Sequence, residues 1–150
     1  LGRSTNASLR LTLRPNPRIK LVESYTYARL GKLGTYYDNS QPASIFNNHI
    51  LRSNANFQFS RELSFSAIMD YNAVLPNAAV VAADYSKVAD TTLLLTYFRH
   101  PGTAFYLGYS TAFENASFVS GATPALLRTQ YPNTQTDNQI FAKISYLFRF

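Results

Sequence analysis

The sequence predicts an all-β fold, an antiparallel sheet of about seven strands, and three observations favour it. Apolar and polar residues alternate along most of the chain, which is the strand period. The chain holds 11 Tyr and 11 Phe, and aromatic side chains favour strands. The longest apolar run, Ala78–Ala83, is far shorter than the roughly 18 residues that a membrane-spanning helix needs. With a hydrophobic fraction of 46% and a mean hydropathy of −0.15, the apolar residues are interleaved with polar ones.

Seven segments carry the alternation. The fourth is the clearest, because Leu63, Phe65 and Ala67 alternate with Ser64 and Ser66, which places the two sets on opposite faces of a strand. Most of the segments are about as long as a strand that crosses a bilayer at a tilt. In chain order the predicted strands are Ala7–Arg14, Ile19–Leu30, His49–Ser60, Leu63–Ala73, Thr91–Arg99, Ala104–Phe113 and Asn138–Phe150.

The connections alternate in length. Short turns at one end and long polar loops at the other are typical of an up-and-down transmembrane β-barrel. The last strand then runs toward the short turns, which puts the C-terminus on the periplasmic side of a bacterial outer membrane. We expect residues 1–150 to be the C-terminal portion of one barrel domain, because bacterial single-chain barrels have even strand numbers, and we expect the remaining strands upstream. The short connections are Pro15–Arg18, Ser60–Glu62 and His100–Thr103, and the long ones are Gly31–Asn48, Val74–Asp90 and Glu114–Asp137.

Turn length also predicts the pairing of the third and fourth strands. A three-residue turn at Ser60–Glu62 sets Phe57 opposite Phe65 and Arg52 opposite Asp70, with every pair on a consistent face. We therefore predict an Arg52–Asp70 ion pair on the polar face.

A similar register in the first hairpin pairs Leu13 with Ile19 and Leu11 with Leu21. It leaves Glu23 on the apolar face, which is costly in a bilayer unless a bulge or a reversed face relieves it. The fifth strand carries three successive leucines from residue 93, so its faces cannot be assigned.

The apolar face is predicted to contact outer-membrane lipid, with aromatic bands near both strand ends, as in barrels. A soluble β-sandwich binding module also alternates and stays an alternative. The polar face is predicted to line the lumen, where an excess of Arg and Lys would favour anions, although these residues could simply fill or hydrate the interior. The expected role is structural or transport (pore-forming), with an undefined substrate. The predicted lumen-facing residues are Arg10, Arg52, Asn54, Asn56, Gln58, Ser64, Ser66, Asp70, Lys143 and Arg149.

Residue types that carry chemistry are scarce. There is no Cys and only two His, and neither His has metal-ligand spacing around it. His49 and Ser53 share a strand face, so a membrane-embedded hydrolase is a second alternative, but an extended strand separates them by about 13 Å. We expect no enzyme activity, no cofactor and no metal. The net charge of +6 comes from scattered residues, so nucleic acid is not an expected partner.

The ending Lys143–Phe150 resembles the C-terminal assembly signal of outer-membrane proteins. Lys143, Phe148 and Phe150 fit that signal, and Ser145 stands where Gly is usual. The resemblance implies that the barrel assembly machinery recognises this strand.

A wider resemblance covers most of the chain and rests on five segments. They are Ser44–Arg52, Phe57–Ser64, His100–Thr103, Gly108–Tyr109 and Tyr146–Phe150. These segments resemble the C-terminal barrel of a family of uncharacterised bacterial outer-membrane proteins whose N-terminal domain is similar to carbohydrate-binding module family 9. That domain is absent from this sequence, so no sugar-binding role is carried over, and the family's function is itself undefined.

Overall fold

The computed structural model describes residues 2–32, 44–100, 102–120 and 125–147. These form an all-β structure dominated by one antiparallel sheet of seven strands, as predicted. The sheet has the order β1-β2-β3-β4-β5-β6-β9, and β7 and β8 form a separate two-stranded sheet. The strands are β1 (Gly2–Asn16), β2 (Ile19–Lys32), β3 (Ser44–Gln58), β4 (Leu63–Pro76), β5 (Ser86–His100), β6 (Thr103–Glu114), β7 (Ala116–Val119), β8 (Ala125–Arg128) and β9 (Thr134–Tyr146).

The large sheet is open. Every neighbouring pair is antiparallel, so its first and seventh strands, β1 and β9, run in the same direction. Within the described ranges these two strands form the sheet edges and do not pair with each other. All of β1 is exposed, and so is β9 after its first residue. An open edge presents unpaired backbone N–H and C=O groups.

The short turns share one end of the sheet and are built by local hydrogen bonds. The Asn16 side-chain oxygen accepts a hydrogen bond from the Arg18 backbone N–H at 2.9 Å. The Ser60 hydroxyl accepts from the N–H groups of Glu62 and Leu63 at 3.1 and 3.0 Å. Gly102 has a φ of 98°, a left-handed conformation that favours glycine.

The end of β9 lies at this same end of the sheet. The Leu147 N–H donates to the Gly102 carbonyl at 2.8 Å. The last strand therefore runs toward the short turns, as predicted.

The register of β3 and β4 is confirmed. Phe57 pairs with Phe65, Ala55 with Ala67, and Arg52 with Asp70. The two phenylalanine rings lie with their centroids 6.3 Å apart.

The predicted register of the first hairpin is wrong by two residues. Leu13 pairs with Leu21 and Leu11 pairs with Glu23, with an irregularity between Leu13 and Asn16. The strand continues into the expected turn, as far as Asn16, and Pro15 has no N–H to donate to a regular ladder. Because the error is an even number, both faces stay as predicted.

The strands also extend further than predicted at the long-loop end. β1 begins at Gly2, β3 at Ser44, β5 at Ser86 and β9 at Thr134. The loop predicted over Glu114–Asp137 contains the β7–β8 hairpin, which the sequence analysis missed. At the other end β9 stops at Tyr146, short of the predicted Phe150, and residues 148–150 lie outside the described residues.

A globular core is lacking in the described part of the chain. Its only buried apolar residues are Ala73, Ala104 and Ala116. The accessible surface is 11373 Å², whereas a compact monomer of this mass exposes about 7,700 Å². One face of the sheet is therefore covered by nothing within these residues.

Candidate functional site: the two faces of the sheet

The polar face gathers the residues predicted to line a lumen. Paired residues project on the same side of a sheet, so the register places nine of the ten on one face. The tenth, Arg149, lies outside the described residues. Near the short turns this face has a hollow of about 260 Å³, whose lining includes Asn56, Gln58, Ser64 and Ser66. The nine residues on this face are Arg10, Arg52, Asn54, Asn56, Gln58, Ser64, Ser66, Asp70 and Lys143.

One row across this face holds four of its charged residues, on β1, β3, β4 and β5. Arg10 pairs with Ser24, Ser24 with Arg52, Arg52 with Asp70, and Asp70 with Asp90. The row is therefore basic toward β1 and acidic toward β5. Two carboxylates opposite each other repel, so the side chains of Asp70 and Asp90 need a nearby cation.

Arg52 supplies that cation through a bidentate ion pair, which confirms the predicted pairing. Its Nε lies 2.5 Å from Asp70 Oδ1, and its Nη2 donates to Asp70 Oδ2 at 2.9 Å. The side chains are 61% and 28% exposed, so the pair is open to water. The geometry fixes a guanidinium and a carboxylate on the polar face.

Aromatic side chains also occupy the polar face, on β6 and β9. Phe141 lies across Gly108, its cross-strand partner: a Cβ added to Gly108 would lie 2.1 Å from the Phe141 ring. This explains why Phe141 departs from the alternation of its strand. The Lys143 amine lies 5.9 Å from the centroid of the Tyr106 ring.

The apolar face carries five successive rows of paired residues, from the row of Tyr25 and Leu51 to the row of Tyr97 and Ile144. The register also assigns the faces of β5, which the sequence left open: Leu93 and Leu95 are on the apolar face, and Leu94 is on the polar one. Shallow apolar hollows lie between these rows. The middle row contains Leu13, Leu21, Ala55, Ala67, Leu93, Tyr109 and Ile140, and the next row toward the short turns contains Ile19, Phe57, Phe65, Leu95, Leu107 and Ala142.

One row of the apolar face is polar, and two of its residues satisfy each other. Glu23 is opposite Ser53, and the Ser53 hydroxyl donates to the Glu23 carboxylate at 2.5 Å. The sequence suggested that a bulge or a reversed face would move Glu23 off the apolar face. Glu23 instead stays on that face and is bound by its neighbour Ser53. In the same row the Thr111 hydroxyl donates to the Asp137 carbonyl at 3.0 Å.

His49 and Ser53 have different partners. The Tyr25 hydroxyl lies 2.7 Å from His49 Nδ1, and the Tyr27 ring is 5.1 Å from the His49 ring. Ser53 is bound to Glu23. These contacts build an aromatic band at the long-loop end and give no support to a Ser–His nucleophile.

Asn115 is the residue that the sequence analysis missed. It is fully buried, although it belongs to an Asn-Ala-Ser triplet that matches a surface glycosylation pattern. Its side-chain oxygen accepts from the Lys87 N–H at 2.7 Å, and its amide donates to the carbonyls of Thr129 and Tyr85 at 3.0 and 3.4 Å. Asn115 thus fastens the base of the β7–β8 hairpin to β5. A lone Asn in a polar loop carries no signal of this role.

Of the assembly-signal residues, Lys143 and Ser145 lie on the polar face of the exposed edge strand β9. Phe148 and Phe150 lie outside the described residues.

Within the described ranges no three His, Asp or Glu side chains are grouped so that they could hold a metal ion. In the same residues no helix is long and apolar enough to span a membrane.

The chain matches no protein-family model, no curated protein and no solved structure. The family resemblance seen in the sequence stays a prediction.

Proposed function

We propose that this chain forms part of the wall of a bacterial outer-membrane β-barrel, with a structural or pore-forming role and no enzymatic one. In this arrangement the apolar face contacts lipid and the polar face lines the lumen. The observation that carries the proposal is the uncovered apolar face, which extends over all seven strands of the sheet. Apolar area of that extent is costly in water.

The height of the apolar face fits a bilayer. Rows on one face are two residues apart, or about 6.8 Å, so the first and fifth rows lie about 27 Å apart along a strand. At a strand tilt of about 40° the outer rows are about 21 Å apart, and with the reach of their side chains the band is comparable to the roughly 25 Å of outer-membrane barrels. The band runs from the row of Tyr25 and Leu51 to the row of Tyr97 and Ile144.

The directions of the edge strands β1 and β9 determine how many further strands a closed barrel needs. Because β1 and β9 run in the same direction, direct pairing between them would be parallel. All-antiparallel closure needs an odd number of further strands between these edges. The proposed partners are those strands of the same barrel, the lipid, and the assembly machinery acting on β9, whose end would lie on the periplasmic side.

Neither alternative gains from the structure. A β-sandwich needs a second sheet packed about 10 Å from the first, and the only other sheet in the described residues is the small β7–β8 hairpin. A hydrolase needs His49 and Ser53 to meet, and they bind Tyr25 and Glu23 instead.

The test is folding, with and without lipid, of the full-length protein, in which this chain is joined to the further strands that closure requires. Diluted from urea into phosphatidylcholine vesicles, that protein should acquire a β-type circular dichroism spectrum. It should also float with the vesicles in a density gradient after an alkaline carbonate wash. Without vesicles or detergent it should aggregate. A folded, monomeric chain in detergent-free buffer that does not float with vesicles would refute the proposal.

A further inference from the structure

The β7–β8 hairpin is unusually apolar for a loop at the rim of a sheet. Phe118, Leu126, Leu127 and Val119 are 68%, 60%, 55% and 45% exposed. No charged residue occurs from residue 115 to residue 127. A rim loop surrounded by water has no reason to display this much apolar surface.

The hairpin is not a loose tail, because its base is fixed to the sheet. Buried Asn115 is bound to β5 and to Thr129, as described above. The Thr134 hydroxyl at the start of β9 donates to the Ala116 carbonyl. Arg128, at the end of β8, lies 3.7 Å from Glu114 at the end of β6, so the flanking charges neutralise each other.

The contacts of Lys87 show on which side of the sheet the chain leaves this hairpin. Lys87 pairs with Ala73, so its side chain lies on the apolar face. Its amine donates to the Gln130 carbonyl at 2.7 Å and lies 5.8 Å from the centroids of the Tyr85 and Tyr131 rings. The segment that follows the hairpin therefore crosses the rim on the apolar-face side and not over the polar face.

We propose that the β7–β8 hairpin is a ledge that overhangs the membrane and inserts Phe118 and Leu126 into the interfacial zone of the phospholipid bilayer. The inference rests on the proposed function, since it requires the apolar face to contact lipid. Phe118 and Leu126 are cross-strand partners in the hairpin, so their side chains project on the same side of it. Lys87, Tyr85 and Tyr131 beside it are residue types that lie at the level of lipid headgroups.

The test uses tryptophan as a depth probe, because the chain has no native Trp. Phe118→Trp and Leu126→Trp each place a probe on the ledge, so one can replace the other if a variant misfolds. Leu95→Trp reports on the apolar face, one row from its middle row, and Ile68→Trp on the polar face. Each full-length variant is folded into phosphatidylcholine vesicles that carry a nitroxide either near the headgroup or deep in the acyl chain.

The ledge predicts that both of its probes are quenched at least twofold more by the shallow nitroxide than by the deep one, with blue-shifted emission. The Leu95→Trp probe should be quenched most by the deep nitroxide, and the Ile68→Trp probe by neither. If the Leu95 probe is quenched but both ledge probes emit as in water, the ledge is refuted and the proposed function stands. If the Leu95 probe is not quenched, the proposed function fails and the ledge fails with it.

Discussion

Arginine substitutions at Ala67, Ala89 and Ser66 would measure which face of the sheet meets lipid. Ala67 lies in the middle row of the apolar face, and Ala89 lies in the row nearest the long loops. Ser66 is the neighbour of Ala67 on the polar face. An arginine on the lipid face of a barrel costs about 2–4 kcal/mol at the bilayer midplane and about 0–1 kcal/mol near the interface. A lumen-facing arginine remains in water.

We therefore expect Ala67→Arg to lower the free energy of unfolding by about 2–4 kcal/mol, and Ala89→Arg to lower it by about 0–1 kcal/mol. Ser66→Arg should leave it almost unchanged. The assay is reversible guanidinium unfolding of the full chain in phosphatidylcholine vesicles, followed by circular dichroism. Equal losses for Ala67→Arg and Ser66→Arg would contradict the assignment of faces. If Ala89→Arg lowered the free energy of unfolding as much as Ala67→Arg, the apolar face would not contact a bilayer. The cost of a lipid-facing arginine falls toward the interface, whereas the cost of an arginine in a protein core does not depend on its position along the strand in this way.

Three other predictions rest on single contacts. Gly108→Ala should destabilise the chain by about 1–3 kcal/mol through overpacking, because its Cβ would collide with the Phe141 ring. In a Phe141→Ala background the Gly108→Ala change should be neutral or stabilising, and additive losses in this double-mutant cycle would rule out the packing between the two residues. Gly2→Ala in the unmodified chain is the control and should also be neutral or stabilising, because its Cβ has ordinary contacts at 3.4 Å or more. Asn115→Ala leaves the Lys87 N–H, a part-buried donor, without its partner, so local opening of the hairpin should become easier by about 1–3 kcal/mol. Faster hydrogen exchange confined to residues 115–131 would show this, and unchanged exchange would count against the fastening role. Arg52→Gln removes the cation beside Asp70 and Asp90, and an increase in cation over anion permeability in planar bilayers would follow if this row lines a pore. A shift toward anion permeability would argue against a pore-lining position for this row.

The parts of the fold that the sequence predicts best are those governed by local rules. The β3–β4 register follows from a short turn and a nearly regular alternation, which together leave one pairing that keeps Phe57 with Phe65 and Arg52 with Asp70. The same reasoning gives the wrong register for the first hairpin. With Pro15 and Pro17 in the turn, the sequence does not show where the strand ends, and the ladder has an irregularity between Leu13 and Asn16.

Features that depend on distant groups could not be predicted. Asn115 acquires its role from Lys87, Tyr85 and Thr129, which the fold brings together across three segments. The leucines of β5 acquire their faces only through pairing with β4 and β6. Glu23 is tolerated on the apolar face because a serine of β3 binds it, and alternation alone does not say which residue will lie opposite.

The central claim is that the two faces of this sheet meet different solvents, and accessibility along β4 tests it most directly. Because the chain has no cysteine, a nitroxide label can be placed singly at each residue from 64 to 72. The full chain in vesicles should then show collisions with oxygen, which concentrates in hydrocarbon, at Phe65, Ala67, Met69 and Tyr71. Collisions with a water-soluble nickel chelate should dominate at Ser64, Ser66, Asp70 and Asn72. A profile without this two-residue period, or one in which the nickel chelate reaches both faces equally, would contradict the account.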